Sequence, residues 1–192
     1  FGQWNSLHTG PRGSAGSAAN VAPWHESDFY AALSFDVENW ELGIGYTSYL
    51  SPNDSFGTVQ GLGLSLHIDD SAMLGGFSLS PHALFAIEVD GQADRGAREG
   101  VYVELGVEPG IPLAAVSVTV PLTLGVSLTD YYVAPPGNDR VFDYLDLGLV
   151  GTVAIPMRPA VGSWEVSGGT LSTFNGADDL QVVGTFGFNI GY

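Results

Sequence analysis

The chain has 192 residues, 21 acidic against five basic, a formal net charge of -16, and no cysteine. That balance excludes bulk electrostatic attraction to nucleic acid or to anionic lipid headgroups, and the lack of cysteine excludes a disulfide framework and a thiolate metal site. Formally charged residues are only 14% of the chain, fewer than a water-facing surface normally carries, so much of the surface is expected not to face water.

There is no lysine; the bases are Arg12, Arg95, Arg98, Arg140 and Arg158. The first residue is Phe, with no charged segment leading into an apolar run. The chain therefore reads as an exported protein without its signal peptide, or as a fragment. No run of about 18 apolar residues is present to form a transmembrane helix. No Pro/Ser-rich linker divides the chain, which reads as one domain over 1–192.

Helical periodicity is nearly absent and period two prevails. FGQWNSLH (1–8) is a candidate first strand, and a Gly/Ser/Ala-rich stretch over 9–27 reads as a long loop. From 28 to 192 the alternation predicts regular hairpins. FYAALSFDV (29–37) sets Phe29, Leu33, Phe35 and Val37 against Tyr30, Ser34 and Asp36. WELGIGYTSYL (40–50) sets Trp40, Leu42, Ile44 and Tyr46 against Glu41, Gly43 and Gly45. LGLSLHI (62–68), ALFAIEV (83–89), VYVELGV (101–107) and VSVTVPLTLGVSL (116–128) follow the same rule, as does LDLGLVGTVAI (145–155). WEVSGGTLST (164–173) is the weakest run, and QVVGTFGFNIGY (181–192) is the last. Turn clusters separate them: SPND (51–54), DDS (69–71), DGQADRG (90–96), PPGND (135–139) and NGADD (175–179). Pro121 lies inside a run and requires a bulge there, and Pro81 lies near the start of another.

Two arrangements explain such strands. In a soluble sandwich or ligand-binding barrel the apolar face is the core; in a membrane barrel it meets lipid and the other face lines the lumen. Here the second face is mostly Gly, Ser, Thr and Ala with isolated acids, which suits a crowded lumen better than a water-facing sheet. Most runs have the roughly 9–11 residues of a membrane strand. Aromatics near run ends (Phe29, Trp40, Tyr46, Tyr49, Tyr131, Tyr132, Tyr144, Trp164 and Tyr192) fall where interface girdles belong. The expected fold is an all-β, antiparallel, up-and-down transmembrane barrel of about ten strands.

The chain ends in TFGFNIGY, with Phe186, Phe188, Ile190 and Tyr192 spaced by two. Chain ends usually fray, but a closed barrel must pair its last strand with its first. This ending resembles the C-terminal insertion signal of Gram-negative outer-membrane β-barrel proteins, and the layout is closest to small porins of the TorF-like kind. The resemblance implies an outer-membrane location, lipid and the barrel insertion machinery as partners, and recognition of Phe186, Phe188, Ile190 and Tyr192. It also implies that an N-terminal hairpin is missing, which would make twelve strands.

Counting back from Tyr192 puts 51–57, 90–99, 129–140 and 173–180 outside, and 38–39, 69–76, 109–112 and 156–162 on the periplasmic side. The inward parity then collects Asp36, Glu41, Glu88, Glu104, Asp146 and Glu165 as candidate lumen and selectivity residues. Glu38 and Glu108 share that parity. Trp40, Tyr46, Trp164 and Tyr192 are the candidate interface aromatics. An acidic lumen favours cations, whereas acids at the rims are merely hydrated.

No catalytic set is legible, and the chain is not expected to be an enzyme. His67 and His82 face inward on neighbouring strands, but folding about 71–73 leaves them several residues out of register, too far for a dyad. No cofactor and no bound metal are expected beyond weak Ca2+ binding at acidic tips such as NGADD, because DGQADRGARE (90–99) lacks the EF-hand ligand pattern. The first functional expectation is a small cation-preferring pore for ions or small solutes, as a monomer or an oligomer. The alternatives are a non-conducting structural or adhesive barrel working through its loops or a partner assembly, and a soluble ligand-binding barrel.

Overall fold

The computed structural model of the chain describes residues 1–7, 23–75, 77–92, 98–113, 116–131, 133–134, 138–139, 141–174 and 180–191. It is an all-β, antiparallel fold built on one large sheet. In chain order the strands are β1 (Gly2–Leu7), β2 (Trp24–Val37), β3 (Trp40–Leu50), β4 (Val59–Ile68), β5 (His82–Asp90), β6 (Val101–Val107) and β7 (Gly110–Leu113). There follow β8 (Val116–Thr119), β9 (Leu122–Thr129), β10 (Val133–Ala134), β11 (Asn138–Asp139), β12 (Phe142–Ile155), β13 (Ser163–Phe174) and β14 (Gln181–Gly191). Twelve of them form the large sheet, and β10 and β11 pair as a separate small ribbon. Helix among the described residues is confined to a 3-10 turn at Pro159–Val161, and no described helix is long and apolar enough to cross a membrane.

The sheet meanders, each strand lying beside its chain neighbours, as short hairpin connections favour. β6 and β7 are two halves of one pass, and so are β8 and β9, which gives ten passes of chain across the sheet. The interruptions fall side by side, at Pro109 and at Pro121. The Val120 N–H donates to the Pro109 carbonyl at 3.0 Å, and the Gly148 N–H donates to the Pro121 carbonyl at 2.8 Å. Proline cannot donate to a ladder, so grouping both rings confines the loss to one place. Gly148 makes room for one of them: a Cβ there would lie 2.7 Å from Cγ of Pro121. The bulge expected at Pro121 is not there: Thr119 faces Val150 and Leu122 faces Leu147, so the strand is interrupted without a change of register, and Pro81 lies just before β5.

Cross-strand register carries the apolar parity from strand to strand. Leu33 faces Ile44, Ile44 faces Leu64, Leu64 faces Phe85, and Phe85 faces Val103. Val103 faces Val126, and further round Leu122 faces Leu147, Val153 faces Val166, and Val166 faces Phe188. A slip of one residue along a whole strand would turn it over; the register shifts from β2 to β14 fall near strand ends, at Gln60/Gly61, Val101/Tyr102 and Phe142/Tyr144, and leave these apolar pairs aligned.

This common apolar face is not a core. Among the described residues only Val59 and Tyr102 are buried hydrophobics, whereas Leu33 is 66% exposed, Phe35 59%, Leu147 53% and Phe186 80%. The accessible surface, 12338 Å², exceeds the value of about 8,700 Å² typical of a water-soluble monomer of this mass. The opposite face carries small residues at mid-strand: Gly45 opposes Gly63, and Gly63 opposes Ala86. The buried side chains Ser27, Glu88, Tyr102 and Ser127 gather at one end of the sheet.

Three further expectations are corrected. The sheet is not closed: its path runs from β1 to β14, and among the described residues those two strands have no pairing with each other. β1 is a poor partner for that closure. It has six residues against eleven in β14, and its register with β2 puts Gln3 and Asn5 on the apolar side and Trp4 on the other. The connection expected at 109–112 lies further on, because β7 continues to Leu113 and pairs back with β8. His67 and His82 are direct cross-strand partners, because the connection between β4 and β5 is longer than a tight turn at 71–73. Strand starts also lie earlier than the alternation indicated, at Trp24, Val59 and Phe142.

Candidate functional site

The carboxylates on the non-apolar face gather toward the two ends of the sheet. At the end holding the 38–39 and 156–162 connections, Asp36 faces Glu41 across β2 and β3, and Glu41 faces His67. Asp36 and Glu41 are exposed, as is Glu165 between Ala154 and Asn189. Like charges directly opposite repel, which water at an open rim screens. These three acids fit the rim reading.

At the other end, beside the connections 51–58, 91–100 and 130–141, the groups converge. The hydroxyl of Tyr102 on β6 donates to Oε2 of Glu104 at 2.8 Å. The hydroxyl of Tyr144, reaching over from β12, donates to the same oxygen at 2.7 Å, and the two hydroxyls contact each other. Tyr131 stacks on Tyr102 with ring centroids 5.0 Å apart. It is held by its own N–H, which donates to the Ser127 Oγ at 3.2 Å, and Ser127 is almost fully buried. The preceding residue, Asp130, takes a left-handed φ of 46°, which turns the chain back over the sheet. Burial of Tyr131 among acidic neighbours pushes its phenol well above the ordinary range, so it is a neutral ring at physiological pH.

Glu88 is buried and accepts the Gly100 N–H at 2.8 Å, while its own N–H donates to the Gly100 carbonyl at 3.0 Å. That reciprocal pair pins the end of the 91–100 connection against β5. Asp146, two residues along β12 from Tyr144, has a buried Oδ1 with no hydrogen-bond partner among the described residues; Asp28 Oδ1 on β2 is in the same condition. Burying a carboxylate oxygen without a donor is costly unless water or a cation reaches it.

The predicted lumen residues therefore do not form one ring. Glu88, Glu104 and Asp146 lie at the cluster end, and Asp36, Glu41 and Glu165 lie at the opposite rim. The girdle expectation is corrected in part: Tyr49, Tyr131 and Tyr144 belong to the inner cluster. Tyr49 and Tyr144 have inward parity, and Tyr131 folds back from its turn. Trp40 and Tyr46 do lie exposed on the apolar face, Tyr46 donating to Oε1 of Gln60 at 2.5 Å. Trp164 is on that face too, donating through Nε1 to the Val161 carbonyl at 2.7 Å and meeting Phe188 edge to face at 5.3 Å. Phe186, Phe188 and Ile190 stand exposed on β14; Tyr192 lies outside the described residues.

Glu26, Asp28 and Tyr102 were not singled out from sequence; strand parity turns Asp28 and Tyr102 inward, whereas Glu26 lies in the stretch 9–27 read as a loop and is inward because β2 starts at Trp24. Of the arginines, Arg98 and Arg158 are described, both exposed in connections. Arg12, Arg95 and Arg140 lie outside the described residues, as does Tyr132. Among the described residues no group of three or more metal-ligating side chains is placed together, and the acidic tip NGADD lies outside them. No family model matches the chain, and neither does any curated protein or solved structure. Fold and site alone define the class: an antiparallel meander with an outward apolar face and an inward face of small, acidic and tyrosine side chains.

Proposed function

We propose that the chain is an outer-membrane β-barrel protein whose apolar face lies in lipid and whose inner face makes a small, cation-preferring pore. One observation carries this: the aligned apolar residues of strands β2 to β14 are exposed or half-exposed, none of those named above is buried, and they cover one continuous face. In water such a face would drive aggregation; in a bilayer it is the stable arrangement. Strands of eleven residues, such as β3, reach about 36 Å, enough to cross the roughly 25 Å apolar band when tilted by about 45°. The C-terminal alternation, which resembles the outer-membrane insertion signal, supports the same location, with the insertion machinery as a partner.

In lipid the two free edges would leave backbone groups unsatisfied, so the reading requires the seam between β1 and β14 to close. Closure comes by direct pairing, by further strands or by a second copy. Cation preference follows from an inner face with carboxylates at both ends and, among the described residues, no arginine or lysine between them. The test is the reversal potential of the purified protein in a planar bilayer under a KCl gradient. A stable conductance with a cation-selective potential is expected, and an anion-selective one would overturn the reading of the carboxylates. A second reading, a non-conducting barrel acting through its loops, is favoured by the knot of Tyr102, Tyr131, Tyr144 and Glu104 across the inner face. Insertion without conductance would establish it in place of the pore.

A further inference from the structure

The cluster end of the inner face holds a cavity of about 410 Å³. Its lining includes four aromatic rings, Tyr49, Phe56, Tyr102 and Tyr131, and two carboxylates, Glu26 and Glu104. We infer that this cavity is an aromatic cage that binds an organic monocation, a quaternary ammonium or a substituted amine, on its way through the barrel. The inference rests on the pore reading above and specifies which cations the inner face selects.

Aromatic faces attract cations through the ring quadrupole, most strongly where the cation is shielded from water. A compact metal ion holds its hydration shell and gains little from such walls. An alkylated ammonium has a weakly held shell and methyl groups that pack against rings. The carboxylates of Glu26 and Glu104 supply the opposite charge, and no described basic residue lines the cavity to compete for them.

The walls are also set in advance. Tyr102 is 5% exposed, its hydroxyl is fixed by Glu104, and its ring is stacked on Tyr131, whose backbone is fixed by Ser127. Both tyrosine hydroxyls converge on one oxygen of Glu104, Oε2, and Oε1 takes neither. Preorganised side chains lose little freedom when the ligand arrives, which favours binding. The solvated cluster of Asp36 and Glu41 at the opposite rim has no such rings.

The experiment is a calorimetric titration of the full chain in detergent micelles, at constant ionic strength, with choline chloride. Its neutral isostere 3,3-dimethylbutan-1-ol is titrated in parallel. Saturable binding of choline but not of the alcohol is expected. Tyr131→Phe keeps the ring and should bind within about twofold of the parent, whereas Tyr131→Leu should bind about tenfold more weakly. If Tyr131→Leu fails to fold, Glu26→Gln serves, removing one charge and leaving the rings; it should weaken choline binding several-fold. Equal binding of choline and the alcohol, no choline binding, or undiminished binding by the variant that folds overturns the cage. Bilayer conductance separates the two readings. Choline binding without conductance upholds the cage and removes the pore, and conductance without choline binding does the reverse.

Discussion

The hydroxyl of Tyr144 donates to Oε2 of Glu104 at 2.7 Å, across two strand boundaries and forty residues of chain. It is a side-chain tie between β12 and β6, which pair with opposite sides of β9, so it spans three passes of the sheet. Hydrogen bonds to charged groups contribute about 1.5–3 kcal/mol. Tyr144→Phe is expected to lose about that much in urea unfolding from micelles. The Tyr102 hydroxyl still serves Glu104 in that variant, so the loss should sit at the low end. A variant as stable as the parent would show that the tie contributes nothing.

Leu147 is exposed on the apolar face near the middle of β12, opposite Leu122 and Ser172. If that face meets lipid, Leu147→Arg costs about 2–4 kcal/mol at mid-bilayer and should block insertion into liposomes. Asp146→Arg, one residue away on the inner face, is expected to insert. Parent-like assembly of Leu147→Arg would reverse the assignment of the faces.

Gly169 on β13 opposes Val150. A Cβ there would lie 2.2 Å from the Leu149 carbonyl oxygen and 2.9 Å from Cα of Val150. Both contacts are backbone, so neither can swing aside as a side chain tip would. Gly169→Ala is expected to destabilise by about 1–3 kcal/mol, the usual range for overpacking, read from the shift in urea midpoint. Gly184→Ala is the control, since nothing lies within 4 Å of a Cβ at that position.

Asp69 lies in the connection after β4 and accepts from Ser71, hydroxyl at 2.6 Å and N–H at 3.0 Å. Those bonds, the hydroxyl first and then the backbone, hold its carboxyl below the usual carboxylate range, with a smaller contribution from His67. The folded value lies below the unfolded one, so the turn's contribution is full above the unfolded value of about 3.9. It is lost as pH falls through the folded value. Carboxyl chemical shifts in an NMR titration should place the Asp69 midpoint below that of a model aspartate. Ser71→Ala should move it back up, and a midpoint unchanged by Ser71→Ala would discount the hydroxyl.

A closed barrel resists SDS until heated, because every strand is paired and no edge is left to open. If lipid closes the seam between β1 and β14, protein extracted from liposomes should migrate faster in SDS before boiling than after. Identical migration would indicate that the edges stay open in the membrane as well.

Alternation alone established the strands, their parity and the all-β class, because a strand's two faces are written into every second residue. Leu33, Phe85 and Leu147 could be assigned to one face with no knowledge of their partners. Register could not be read so directly. His67 and His82 are partners because Asp70 accepts the N–H groups of Leu79 and Ser80 at 2.9 and 3.1 Å, shaping a connection whose length DDS at 69–71 did not reveal.

The site was less legible still. Parity turned Glu88, Glu104 and Asp146 inward together with Asp36, Glu41 and Glu165, but depth along a strand depends on stagger between neighbours, and stagger parted the two sets. Tyr49 and Tyr144 resembled girdle residues because they stand near strand ends, as girdle residues do. Tyr131 joined the inner cluster through a left-handed Asp130 and a bond to Ser127, contacts between parts of the chain that no local pattern encodes. Sequence determined which faces are apolar, since that is a property of each strand by itself. Tertiary structure decided which inward side chains meet and whether the sheet's edges join, since both depend on distances between strands far apart in the chain.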